Sequence, residues 1–116
     1  MVRLGLDMFS LRSQGWTPFE QLDFAARWGA TVAHYSEVRL LGGLEPDHLR
    51  RVRAHADALG IALELGMLSI CPGSDIFDAS KGSAEAQIDA MLPAATILGS
   101  SFVRAVVGRM EDRRRP

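Results

Sequence analysis

The sequence predicts an α/β fold, part of a TIM (β/α) barrel, with four parallel strands in sequential order joined by three crossover helices. Three observations lead there. Short apolar runs follow glycines that close helical stretches at Gly29, Gly60 and Gly99, spaced 31 and 39 residues apart, the size of one strand-plus-helix unit. The segments between them carry apolar residues at helical periodicity. One ionisable side chain per strand (Asp7, His34, Glu64 and Arg104) falls on the same inferred face.

The chain opens on a strand at about Arg3 to Phe9, with Leu4, Leu6 and Met8 on an apolar face and Gly5, Asp7 and Phe9 opposite. Thr17-Pro18-Phe19-Glu20 reads as an N-cap, a first-turn proline and a capping-box glutamate. Phe19, Leu22, Ala25 and Ala26 then share one helical face. In the second strand Ala33 and Tyr35 are expected to pack against helices, leaving Val32, His34 and Ser36 on the other face. The second helix starts near Pro46 and places Leu49, Val52, Ala56 and Leu59 together, with Arg50, Arg51 and Arg53 largely outside. The third strand turns Ile61, Leu63 and Leu65 toward helices and Ala62, Glu64 and Gly66 away from them. After the longest connection, Ser69 to Gly82, the third helix begins near Ser83 and aligns Ile88, Leu92, Ala95 and Leu98. Pro93 is expected to kink or shorten it. The fourth strand places Val103, Ala105 and Val107 outward and Phe102, Arg104 and Val106 opposite, and the final residues read as a solvated tail.

Helices of this length suit right-handed crossovers between parallel strands, not hairpins. A doubly wound sheet is covered on both faces and mainly apolar on each. A second face lined with charge fits a barrel interior, where ligands bind near the mouth. A complete barrel takes roughly 200–250 residues, about twice the 116 of this chain. Residues 1–116 are therefore expected to be the N-terminal part of a single barrel domain, a fragment. Its first and fourth strands would be open edges that invite self-association.

With 47% hydrophobic and 23% charged residues, the chain has enough apolar content to form a core. Thirteen basic residues against fourteen acidic ones give a formal net charge of -1, which disfavours nucleic acid as a partner. One cysteine excludes an internal disulfide framework and a thiolate zinc site, and fits a reducing compartment. No apolar run approaches the ~20 residues needed to span a membrane, and the N-terminal MVRLGLDMF lacks signal-peptide character. A cytoplasmic protein is expected.

The four inward ionisable groups admit a structural reading, Asp7 with Arg104 or His34 with Glu64 pairing only to neutralise buried charge. Glu37 ends the second strand, where such folds carry chemistry, or simply opens a solvated loop. Phe9 and Trp16 flank the first βα loop, positioned to stack on a ligand or to pack within the loop. His48 and His55 lie seven residues apart, not the three or four that place metal ligands on one helical face, and read as solvated or helix-terminal. Cys71 reads as a packed thiol and Arg113, Arg114 and Arg115 as a solvated run. The absence of a glycine-rich phosphate loop counts against nucleotide-binding classes.

The stretches RLGLDMFSLRSQGW, GATVAHYSEVR, LELGMLSICPGS and FVRAVVG resemble the N-terminal half of the sugar phosphate isomerase/epimerase family of xylose-isomerase-like barrels. The resemblance runs to about Gly108. It implies a sugar or sugar phosphate substrate and one divalent metal (Mn, Mg, Co or Zn) held by acidic and histidine residues of later strands. It also implies a glutamate pair that moves a proton next to a sugar carbonyl, with the metal polarising that carbonyl. Those catalytic and metal-binding positions would fall beyond Pro116, so none is assigned here. Asp7, Phe9 and Ser10 match the family's first-strand pattern, and Arg104 its fourth-strand arginine, whereas His34 stands where a glutamate is usual. The substrate-positioning set is thus Asp7, Phe9, His34, Glu37, Glu64 and Arg104, and the 116-residue chain alone is expected to be inactive. The alternatives are a stand-alone small α/β ligand-binding domain without catalysis, or a fragment of an endonuclease IV-like DNA-repair barrel.

Overall fold

Four strands run parallel in a single sheet, β1 (Gly5–Asp7), β2 (Val32–Tyr35), β3 (Ala62–Ser69) and β4 (Val103–Val106), in the spatial order β1-β2-β3-β4. The computed structural model describes residues 2–114. Helices α1 (Pro18–Arg27), α3 (Pro46–Ala58) and α4 (Ala84–Leu98) make the three crossovers, and a single turn, α2 (Val38–Leu41), precedes α3. The architecture is α/β with helices between sequential parallel strands, compatible with part of a barrel.

Local chemistry starts each crossover helix. Thr17 caps α1 by accepting from the Glu20 amide at 3.2 Å, while Glu20 accepts from the Thr17 amide at 3.1 Å, so both orphan donors are met. Glu45 caps α3 with both carboxylate oxygens, on the amides of Asp47 and His48. These bonds hold its carboxyl below the usual carboxylate range. Ser83 caps α4 through the Ala86 amide. The helices cover one sheet face: Ala33, Tyr35, Leu63 and Leu65 are buried there against Leu22, Leu49 and Met91. Tyr35 donates its hydroxyl to the Pro18 carbonyl at 3.3 Å, anchoring β2 to the start of α1. Burial pushes its phenol well above the ordinary range.

The structure corrects several expectations. Asp7 accepts from the Phe9 amide at 3.0 Å and caps a 3-10 helix over Met8–Gln14, so the first strand stops at Asp7 and not at Phe9. α2 was not foreseen. Pro93 does not shorten α4, which continues to Leu98. Leu4, Leu59, Leu92 and Val107, expected to face helices, are all exposed. Leu59 lies just past the end of α3, and the other three lie at the two ends of the sheet where no further helix covers them.

Candidate functional site

No helix covers the second face of the sheet, and three strands bring charge together there. Residues Asp7, His34 and Glu64 are neighbours in register across β1, β2 and β3, and Arg104 of β4 is level with Gly66, one inward position further along β3. Gly66 lets the strands approach: a Cβ there would lie 3.1 Å from the Ser36 Cα and 3.3 Å from the Tyr35 carbonyl oxygen. The side chain of Arg104 consequently reaches over to β2. Its Nε donates to His34 Nε2 at 3.1 Å and its Nη2 to the Ser36 carbonyl at 3.5 Å. A guanidinium has no acceptor, so this contact requires the imidazole proton to sit on Nδ1. That nitrogen faces Glu64 Oε1 at 3.4 Å. The chain of contacts therefore runs guanidinium, imidazole, carboxylate, with the half-buried imidazole in the middle and the other two reaching solvent. Phe102 stacks on His34 with ring centroids 6.5 Å apart and planes at 24°. Phe102 was placed on this face by its strand alternation but not recognised as part of the site; its position two residues before Arg104 was the available signal.

The remaining expected site residues are distributed differently. Asp7 shares the inner face but is exposed, with its carboxylate turned to the Phe9 amide. Phe9 lies in the 3-10 helix, where the Arg12 guanidinium sits 3.9 Å above its ring. Glu37 pairs with Arg39. Both line a recess of about 210 Å³ between α2 and α4, floored by Met67 and Met91 and rimmed by Asp78 and Lys81. Hydrogen bonds from the Ser80 hydroxyl and amide hold the Asp78 carboxyl below its ordinary range. His48 donates Nε2–H to the Leu41 carbonyl, or accepts no proton there, at 2.7 Å, and His55 meets Asp23 Oδ1 at 2.7 Å; both tie α3 to its neighbours. Trp16 packs on Phe24. Half-buried Cys71 lines a second recess of about 370 Å³ with Ser74, Arg109 and Asp112 at the ends of β3 and β4. Arg115 lies outside the described residues, and Arg113 and Arg114 are exposed.

Among the described residues, no three or more His, Cys, Asp or Glu side chains gather to hold a metal ion. The inner wall itself does not fit one: the acceptor nitrogen of His34 faces a guanidinium, which a cation would have to displace. What the wall offers is hydrogen bonding. Arg104 retains N–H groups beyond the two it uses within the chain, Glu64 and Asp7 present carboxylate acceptors, and Phe102 adds an aromatic surface. Among the described residues, no helix is long and apolar enough to cross a membrane. Comparison with family models, with curated proteins and with solved structures finds no match to this chain.

Proposed function

We propose that this chain forms the substrate-positioning wall of a barrel that converts sugars or sugar phosphates, in the manner of the isomerases and epimerases its sequence resembles. The observation that carries the reading is the His34–Glu64–Arg104 chain on a sheet face without helices. A polyol presents alternating hydroxyl donors and acceptors along a carbon skeleton. Arg104 suits a phosphate or a hydroxyl oxygen, since guanidinium–oxyanion bonds are among the stronger charge-assisted ones. Glu64 and Asp7 suit hydroxyl hydrogens, and the Phe102 ring suits the apolar C–H face of a sugar. In the whole enzyme, a divalent metal held by residues of other strands would polarise the carbonyl while acids and bases move the proton. The groups of this chain would bind and orient the substrate, and the 116-residue chain has no isomerase activity of its own.

Titration of the chain with a ketose phosphate, followed by side-chain NMR, tests this reading. The expected result is saturable shifts at His34 and Phe102, with Arg104→Ala weakening binding about tenfold, the loss of one charge-assisted contact. Arg104→Lys should recover only part of it, because a lysine cannot serve His34 and a ligand with a planar fork. Shifts confined to the recess of Glu37 and Arg39, or no saturation, would refute the assignment of the site. Turnover of a ketose by the isolated chain with added manganese or magnesium would refute its inactivity.

A further inference from the structure

The two flanks of the sheet-and-helix layer carry surface that the rest of the molecule does not. On α1, the side toward α3 bears Phe19, edge-on to His55 with ring centroids 5.4 Å apart, and Asp23, which meets His55. At 100° per residue, the opposite side bears Gln21, Phe24 and Trp28. There Trp16, Phe24 and Trp28 form an aromatic ladder with ring centroids 5.3 and 6.3 Å apart, and Trp28 is 68% exposed. Gln21 on this same flank is only 2% exposed; its Nε2 donates to the Trp16 carbonyl, but among the described residues its Oε1 has no partner. A buried amide oxygen without a donor is costly, and points to one arriving from outside.

The far end of the molecule mirrors this. α4 faces α3 with Ile97, whose carbonyl accepts from Arg53 at 3.2 Å. It turns Leu92, 54% exposed, the other way, and beyond it Phe102 and Val107 stand exposed at the β4 edge. β1 and β4 each pair on one side only, leaving a row of backbone donors and acceptors at both ends of the sheet.

We propose that two copies of this chain pair about a two-fold axis, β1 of each against β4 of the other, closing an eight-stranded parallel barrel. Because both open edges belong to one parallel sheet, a half-turn about an axis along the barrel joins them in the same direction at both seams at once. Four strands from each copy give the eight at which side chains fill a barrel interior. Each seam sets the α1 aromatic ladder beside the α4 flank of the other copy, covering Trp28 and Leu92 together. Each also brings the Asp7 carboxylate of one edge and the Arg104 guanidinium of the other to a common inner wall. Of the 116 residues, only Met1, Arg115 and Pro116 lie outside the described structure, too few for a strand and helix. For this chain the covering surface is therefore another molecule, and a second copy has matching edges by construction. The pairing does not rest on the sugar reading, whose test reads ligand shifts and not mass.

Light scattering on the eluting 116-residue chain should give about 25 kDa, twice 12.7 kDa. A monomer mass, or an open-ended series of larger species, overturns the proposal. Geometry is tested in a Cys71→Ser background with Leu4→Cys and Phe102→Cys made separately, both at exposed positions. A short bis-maleimide should cross-link a mixture of the two variants several-fold more than either alone. Equal or greater self-linking of either variant would mean a different dimer and sink the closed barrel. Trp28→Glu and Leu92→Glu, again at exposed side chains, should retain the wild-type circular dichroism spectrum and elute as monomers. Persistence of the dimer in both variants would show that these flanks are not the interface.

Discussion

Tyr35 shows how a single hydroxyl is committed by its surroundings. It is fully buried between the sheet and α1, its one polar atom donates to the Pro18 carbonyl, and its phenol is pushed upward by desolvation. A folded-state value raised above the unfolded one means that the folded chain keeps the proton longer. The associated stability is thus fully present below about pH 10, the ordinary phenol value, and is lost as pH rises beyond it. Tyr35 is the only tyrosine in the sequence, so tyrosinate absorbance reports this group alone. Absorbance and circular dichroism followed from pH 8 to 12 should change together, with ionisation appearing only as the fold is lost. Ionisation at pH 10 with an intact fold would contradict this account. Tyr35→Phe should cost about 1 kcal/mol at pH 7 through the lost hydrogen bond, while removing this residue's share of the alkaline loss.

At the scale of elements, α3 depends on a cap that acid switches off. Both oxygens of Glu45 accept from backbone amides at the helix start, which favours the ionised form. A lowered folded-state value means the contribution is present above the ordinary glutamate range and is lost as pH falls through the lowered value. Glu45→Gln should therefore lower Tm at pH 7, with the gap closing as both proteins are taken toward pH 2–3. An undiminished gap in acid would mean that charge on this cap does not matter. The caps of α1 and α4 and the covered faces of α1 and α3 were legible in the sequence because the signals are local: hydroxyl caps, a first-turn proline and 3.6-residue periodicity. Strand alternation likewise placed His34, Glu64 and Arg104 on one face. Less local features were not legible. The Asp7 cap that ends β1 early competes with strand alternation, and Glu37 leaves the inner face because Arg39 is near enough to hold it. Leu92 has a sound helical phase for burial, yet it belongs to the flank that this chain alone does not cover.

For the whole molecule, the same flanks set how stability responds to concentration. A four-stranded sheet with charge on its bare face and apolar groups at both ends buries its core on one side only. Pairing the edges adds two seams of backbone hydrogen bonds and covers the Trp28 and Leu92 flanks. If unfolding is coupled to separation of the copies, mass action makes the folded state more stable by about 1.4 kcal/mol per tenfold rise in protein concentration. For an assembly of two 116-residue chains, that amounts to a Tm rise of about 2–4 °C per decade. Calorimetry across two decades of concentration should show this slope for the wild type and none for Leu92→Glu. A flat wild-type response would mean that one copy carries its full stability alone. Amide exchange locates the effect: protection should grow with concentration at the outward amides of Gly5–Asp7 and Val103–Val106, while those of β2 and β3, already paired on both sides, change only with global stability. Growth confined to the helices, with β1 and β4 unchanged, would place the contact on the outer layer and leave the barrel open.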